Sequence, residues 1–283
     1  ILIMYNKTHC SPKKGKKKYS CINDNVIYKI GKILNDHGYK INMDDNLKKM
    51  HTNISKTLKK IKKCNSEECW RNINMITDNL TKKELKELNN SFRPKKPKSW
   101  KDNSNTWLSN VDIDNVLKQY YDKYDDYYYH GALPVDFDVE VNNKCLVDNL
   151  CKFDVDKLHK SGKNKMALVF NTDPHNKGGE HWISMYIDCV GKNIEYPCIY
   201  FFDSAGNPPP KEIKNFIDDT RNNSDINFSY IENSIQHQKG NTECGVYCLH
   251  FLSYMIEDDD FMNYIKNKKN DKFMEKYRSI FFI

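Results

Sequence analysis

The sequence predicts an α+β protein in which a small basic helical domain precedes a larger domain with helices at both ends of a central sheet. Three observations predict it. Apolar residues recur at three- and four-residue spacing through the first ninety or so positions, the mark of amphipathic helices. Runs rich in β-branched and aromatic residues then appear at Met166–Asp173, His181–Val190 and Pro197–Asp203, and these read as strands. Charge also changes sign along the chain. The first hundred residues hold 24 Lys and Arg against 9 Asp and Glu, whereas the remainder holds 21 against 29. A break of that size argues for two regions with different tasks.

The elements follow in order. KKGKKK at Lys13–Lys18 reads as a solvated loop. Asn23 or Asp24 caps a helix whose Val26, Ile27, Ile30, Ile33 and Leu34 share one face, and Gly38 stops it. Leu47, Met50, Ile54, Leu58 and Ile61 define a second amphipathic helix. Thr81 and Glu84 have capping-box spacing for a third through Leu85 and Leu88. FRPKKP at Phe92–Pro97 carries two prolines and reads as a linker, so the expected domains are 1–92 and 93–283. Trp107–Tyr121 is expected to be helical, with Leu108, Val111, Val116 and Tyr120 available for packing. The aromatic stretch Tyr120–Tyr129 suits core and domain interface. After the three strands come a helix at Lys211–Asp219, a strand at Ile226–Gln238 and an apolar helix at Cys244–Ile256.

Composition removes several function classes. No apolar run approaches the about 20 residues of a membrane helix, and no membrane role is expected. ILIMYNKTHC is too short an apolar stretch for a signal peptide, and Met4 close to Ile1 leaves the natural start open. The ten cysteines are scattered, so they read as free thiols in a reducing compartment. The basic region could attract nucleic acid or an acidic surface, but no nucleic-acid motif accompanies it. A solvated lysine-rich helical face is the simpler account.

Three segments carry chemistry: His181-Trp182 on a strand, Asp203-Ser204 at the end of the next, and Gln238 followed by Cys244-Gly245 at a loop-to-helix junction. A cysteine nucleophile acts as its thiolate, which a helix N-terminus and an imidazolium both favour. Cys244 opens an apolar helix. His181 is the candidate base and later the acid to a leaving amine. Asp203 would hold the tautomer and stabilise the imidazolium. The Cys244 backbone N–H and the Gln238 carboxamide are the natural oxyanion donors. Each residue alone has a bland explanation as a core thiol, a structural histidine, a turn aspartate or a surface glutamine. The order, with each residue at an element end, favours catalysis.

The segments VFNTD (169–173), HWISMYID (181–188), FDSAGNPPP (202–210) and HQKGNTECG (237–245) resemble the ubiquitin-like-protein protease family, which includes SUMO proteases and adenain-like enzymes. Within it the likeness is to the polyprotein-processing proteases of African swine fever virus and other large DNA viruses. Weaker likeness runs through WLSNVDIDNVLKQY (107–120) and CNSEEC (64–69). The resemblance implies a papain-like core, with His181, Asp203, Gln238 and Cys244 catalytic. It implies that Trp107 and Trp182 close over a Gly-Gly tail, because only residues without side chains pass beneath packed indoles. It implies a cysteine endopeptidase cutting after Gly-Gly-type sequences in viral core polyproteins during virion maturation. Processing of SUMO or other ubiquitin-like modifiers is the alternative. A non-catalytic binding module of the same fold is disfavoured by the complete Cys, His, Asp and Gln set. The expected location is the host cytoplasm, at the viral factory, or the virion.

Other candidates are weaker. Cys64 and Cys69, with Cys10 and Cys21, make a poor zinc set, since C-x(4)-C lies at the edge of the range and the second pair is distant. Neither metal nor cofactor is expected. Cys145 and Cys151 read as structural, and Cys248 should face the core. His237 adjoins Gln238 and competes with His181 as base.

Overall fold

The computed structural model describes residues 9–12 and 19–283, so the Lys13–Lys18 loop lies outside the described residues. The chain divides into two compact units, Ile1–Arg93 with Ile283, and Pro94–Phe282.

The first unit is helical: α1 (Asp24–Asp36), α2 (Leu47–Lys62), α3 (Asn74–Thr77) and α4 (Lys82–Asn90). The sequence signals act as read. Asn23 accepts the Val26 N–H at the start of α1, and Thr81 and Glu84 form a full capping box for α4. Val26, Ile30, Leu34, Met50, Ile54 and Leu58 meet in one core with Trp70 and Leu88. The Glu67 carboxylate ties Ser20 Oγ, the Cys21 N–H at 2.8 Å and His51 Nε2 at 2.9 Å. Phe92 and Arg93, expected in the linker, belong to this unit: Phe92 is buried and the Arg93 N–H bonds the His9 carbonyl. Lys48, Lys49, Lys56, Lys59, Lys60 and Lys62 are exposed along α2.

The second unit is built on a five-stranded mixed sheet. Its strands are β1 (Tyr127–Pro134), β4 (Lys165–Asn171), β5 (Trp182–Asp188), β6 (Cys198–Phe202) and β7 (Ser229–Glu232), adjacent in that order. β2 (Glu140–Val141) and β3 (Lys144–Cys145) form a separate hairpin. β1 runs parallel to β4 and β6 to β7, while β4, β5 and β6 alternate antiparallel. Every residue of β4, β5 and β6 is buried, which requires cover on both faces. One core holds Ala167, Val169, Tyr186, Tyr200 and Phe202 with α5 (Asn110–Leu117), α9 (Cys244–Ile256), α10 (Phe261–Lys266) and α11 (Asp271–Phe281). The other holds Met166, Leu168, Phe170, Met185 and Ile187 with α6 (Asp148–Cys151), α7 (Val155–Lys160) and α8 (Lys211–Asn222). Successive strand residues alternate between the two cores, as the period of two demands.

Four expectations are corrected. Helix α5 begins at Asn110, because Ser109 and Asp112 form a capping box there; Trp107 and Leu108 precede it, and Val111 points outward at 60% exposure. The Ile226–Gln238 strand shrinks to Ser229–Glu232, since Asn233 turns the chain by bonding the Asp203 and Ile235 carbonyls. Tyr127–Pro134 is an edge strand as well as core. Six cysteines are not free thiols: Cys10–Cys21, Cys64–Cys69 and Cys145–Cys151 are disulfides, their Cα atoms 5.1, 5.6 and 6.2 Å apart. Pairs within 11 residues of one another reach that separation readily across turns. The pairing also accounts for all four cysteines of the zinc alternative, and no group of three or more metal-binding side chains occurs among the described residues. Among those residues, no helix is long and apolar enough to cross a membrane.

Candidate active site

Sheet register brings the first two groups together. β5 and β6 are antiparallel with Ser184 opposite Phe202, so the residue before β5 and the residue after β6 emerge side by side. These are His181 and Asp203, and the His181 Nε2 lies 2.6 Å from Asp203 Oδ1. Asp203 is itself fixed from three directions. The Ala205 N–H donates to Oδ1 at 2.8 Å, Asn207 Nδ2 donates to Oδ2 at 3.0 Å, and Asn233 Nδ2 donates to the Asp203 carbonyl at 2.8 Å. The turn depends on Gly206, whose φ is +79° and whose missing Cβ would meet the Gln236 nitrogen at 2.8 Å.

Cys244 is the first residue of α9 and is 1% exposed. Its thiol is the second group, after Asp203, that acts on the His181 ring. Asp203 occupies Nε2, which leaves Nδ1 for the sulfur. Burial would push the His181 pKa down, but hydrogen bonds and charge from Asp203 and Cys244 outweigh it and raise the value to about 10. Burial likewise raises the Asp203 pKa, and the bonds to His181, Ala205 and Asn207 more than reverse this, so the net shift is downward. His181 therefore carries a proton at neutral pH, with Asp203 ionised beside it.

Gln238 lies on the loop leading to α9 and is tied to Ser204, the residue after Asp203. Its Oε1 accepts from Ser204 Oγ at 2.7 Å, and its Nε2 donates to the Gly240 carbonyl at 2.9 Å. The Ser204 carbonyl also accepts the His237 and Gln238 backbone N–H groups, both at 2.8 Å. The Gly240 carbonyl can only accept, so it fixes which end of the carboxamide is Nε2, and the second Nε2 hydrogen is left for another acceptor. Ser204, which stands in the Asp203-Ser204 motif without an expected task, is the residue that meets the Gln238 oxygen.

His237 takes no part in this relay. Burial lowers its pKa to about 4, and it is packed among Phe202, Tyr247 and Tyr264. Cys248 is buried one turn beyond Cys244, and burial raises its pKa well above the ordinary thiol value.

The two tryptophans differ. Trp182 is 7% exposed and its indole N–H donates to the Leu108 carbonyl at 2.9 Å. Trp107 is 41% exposed. Gly245 lets Leu108 and Trp182 approach α9: a Cβ there would stand 3.1 Å from Leu108 and 3.4 Å from Trp182. The glycine of the Cys-Gly dipeptide thus serves packing. Both indoles line a groove of about 680 Å³ with Leu108, Asn171, Asp173 and Gly179. His181 and Cys244 are not among its walls; Trp182, the next residue to His181, connects groove and relay. A cysteine at a helix N-terminus, a protonated histidine, an orienting carboxylate and a fixed carboxamide constitute the equipment of acyl transfer through a thioester.

Fold and relay together define a cysteine-protease-type domain of the kind that the sequence resembles. Comparison with known proteins agrees. The chain is 31% identical over 185 residues to a putative thiol protease of Acanthamoeba polyphaga mimivirus, covering 63% of this chain and 57% of that one. It is 26% identical over 236 residues to the SUMO-1 cysteine protease of African swine fever virus (isolate Pig/Kenya/KEN-50/1950), covering 77% and 83%. The chain therefore spans little more than half of the mimivirus protein. A crystal structure of the African swine fever virus protease superposes with a TM-score of 0.70 at 21% identity, over 98% of this chain and 96% of that one, and so shares the fold. A family model described as YopJ Serine/Threonine acetyltransferase matches residues 139–279. The chain is thus similar to cysteine proteases of large DNA viruses, and it shares the fold of one of them.

Proposed function

We propose that this protein is a cysteine endopeptidase that cleaves after Gly-Gly-type sequences in viral core polyproteins. The observation that carries the reading is the His181–Asp203 pair set against Cys244 at the first turn of α9. The Cys244 sulfur attacks the scissile carbonyl carbon, and the oxyanion receives the Cys244 backbone N–H and the free Gln238 Nε2 hydrogen. His181 gives its proton to the departing amine, which leaves a thioester on Cys244. Water then attacks the thioester, His181 takes its proton, and the acid product and the thiol are released. Asp203 keeps the imidazole oriented throughout. The groove beside Trp107 and Trp182 supports selection of glycine before the cut, since an indole-lined channel penalises any side chain.

The relatives' names point to SUMO-type modifiers as a second substrate class, and the acetyltransferase family match favours a second acyl-transfer reading in which a hydroxyl replaces water. One experiment sorts these. The full chain is incubated separately with candidate viral core polyproteins, with a SUMO precursor, and with a protein substrate plus an acetyl thioester donor, and new N-termini and acetylated residues are identified by mass spectrometry. Gly-Gly-type cuts in the polyproteins support the proposal. Acetylation without cleavage would replace it. The exposed lysines of α2 leave an acidic protein or a nucleic acid as a proposed partner of residues 1–92, to be tested by the salt dependence of binding. Action in the host cytoplasm or the virion is likewise proposed, to be tested by locating the protein in infected cells.

A further inference from the structure

A buried arginine on the last helix makes contacts that the relay above does not use. Arg278 lies in α11 and is 4% exposed. Its Nε donates to the two carboxylate oxygens of Glu243 at 3.0 and 2.8 Å, and its Nη2 donates to Glu243 Oε1 at 2.8 Å. Nη2 also donates to the Thr242 carbonyl at 2.9 Å, and Nη1 donates to the Thr106 carbonyl at 2.7 Å. The guanidinium sits 4.8 Å from the Trp100 ring centre. Glu243 is 2% exposed and immediately precedes Cys244; Thr106 immediately precedes Trp107.

One planar group therefore grips two chain segments at once. The first, Thr242–Glu243, ends at the backbone N–H proposed to hold the oxyanion. The second, Thr106, opens the Trp107-Leu108 wall of the groove, and Leu108 in turn accepts the Trp182 indole N–H. Only a guanidinium can do this, because it presents five donors in a fixed fork, whereas an ammonium offers three from a single point. Nor does stability explain it. A buried ion pair is often no more stabilising than apolar side chains of the same volume. What it adds is a fixed geometry between the two segments.

We propose that Arg278 and Glu243 form a positioning clamp, which sets the Cys244 N–H and the Trp107 segment relative to each other for the acyl-transfer step. The clamp rests on the reading of Cys244 as nucleophile. It acts through Cys244 and Trp107, and neither of its members touches the reacting atoms. Arg278→Lys keeps the charge but not the fork. The double variant Arg278→Met with Glu243→Leu removes both charges together, so no unpaired ion is buried.

Each full-length variant is compared with the wild type in two ways. Amide hydrogen exchange is read at 106–108 and 242–245, and kcat and KM are measured for a Gly-Gly-containing peptide per thiol titrated at Cys244. Active-site titration removes any contribution from misfolded protein. The clamp predicts faster exchange confined to those two segments. It also predicts a loss of about tenfold to a hundredfold in kcat/KM, with kcat lowered and KM raised together, the scale of a reacting group misplaced by about 1 Å. Wild-type kcat/KM per titrated thiol in both variants would overturn the clamp and make Arg278 a structural residue only. Unchanged exchange would overturn it whether or not the wild type cleaves the peptide. A wild type that cleaves nothing would refute the peptidase reading; the clamp is then read from the rate at which Cys244 reacts with a small thiol-directed electrophile, and an unchanged rate in both variants would overturn it.

Discussion

Replacing Asp203 by Asn separates the two tasks of the carboxylate, orientation and charge. The Asn side chain can still accept from His181 Nε2 and from the Ala205 N–H through its own oxygen. Its amino group would then face Asn207 Nδ2, which now donates to Asp203 Oδ2, and Asn207 can answer by turning its carboxamide over. Orientation should survive, and what disappears is one negative charge beside the imidazolium. With charge centres about 4 Å apart, the attraction is worth about 4 kcal/mol at the effective dielectric of a partly buried pair and about 1 kcal/mol in water. His181 is 21% exposed and Asp203 4% by side chain, which places the pair between these limits. At about 1.36 kcal/mol per pH unit, the loss lowers the His181 pKa by about 1–3 units. Since that value now stands at about 10, the alkaline limb of activity should move to roughly pH 7–9. The assay is kcat/KM for a Gly-Gly-containing peptide from pH 5 to 11, with circular dichroism at each pH to exclude unfolding. The rate on the acid side should fall only modestly. An alkaline limb that stays near its wild-type position would refute the electrostatic account. Inactivity at every pH would show that the carboxamide does not hold the ring.

Cys244→Ala should abolish turnover and leave the thermal melt within a few degrees of wild type; residual hydrolysis by the pure variant would remove Cys244 from the mechanism. Gln238→Ala should lower kcat by about 10²–10³-fold with KM little changed, because an oxyanion donor acts in the transition state. Ser204→Ala frees the Gln238 oxygen but leaves the backbone bonds, so its kcat loss should be smaller than that of Gln238→Ala, and a change confined to KM would move both residues into substrate binding. Acid should unfold the protein from near pH 6 downward. Burial lowers His130 and His250 to about 3 and His237 to about 4, so below the ordinary histidine value of about 6.5 the unfolded chain binds protons that the fold does not. Stability is then lost as pH falls between about 6 and 4, and a Tm constant across that window would contradict it. His181 has the opposite sign: its contribution is complete below about 6.5 and is lost as pH rises through about 10.

Much of this was legible in the chain because it is local. The Thr81 capping box, the Asn23 cap and the start of α9 at Cys244 are set by residues within one turn of each other. β4, β5 and β6 are legible because strands covered on both faces need continuous apolar runs. β1 was harder to read, since Gly131 and a register shift between Tyr129 and Ala132 interrupt its pattern and Pro134 ends it. The start of α5 was misplaced by reading Trp107 as helical when the capping signal sits at Ser109. Disulfide pairing was missed because cysteine spacing says nothing of which Cα atoms turns bring together. The tie from Ser204 to Gln238 spans 34 residues and that from Arg278 to Glu243 spans 35, and no periodicity records either.

The same relay could pass an acyl group to water or to a hydroxyl, so the choice between peptidase and acetyltransferase must come from what surrounds it. A phosphate-bearing acyl carrier needs a wall of uncompensated cations, whereas a peptide needs a channel that follows its backbone. The ionisable residues lining the groove are Asp173, His175 and Lys177. His175 is already engaged by Asp136, which accepts its backbone N–H at 2.8 Å and meets its Nδ1 at 2.6 Å. Asp173 accepts from the Gly179 N–H at 3.2 Å and places its carboxyl group at the same wall. The remaining walls are mostly apolar, with Trp107, Leu108, Leu133, Leu146, Val147 and Trp182 among them, joined by the uncharged polar residues Ser109, Asn110 and Asn171 and by Gly178 and Gly179. That lining offers apolar surface and near-neutral charge to its occupant, which suits an extended, glycine-containing peptide better than a polyphosphate.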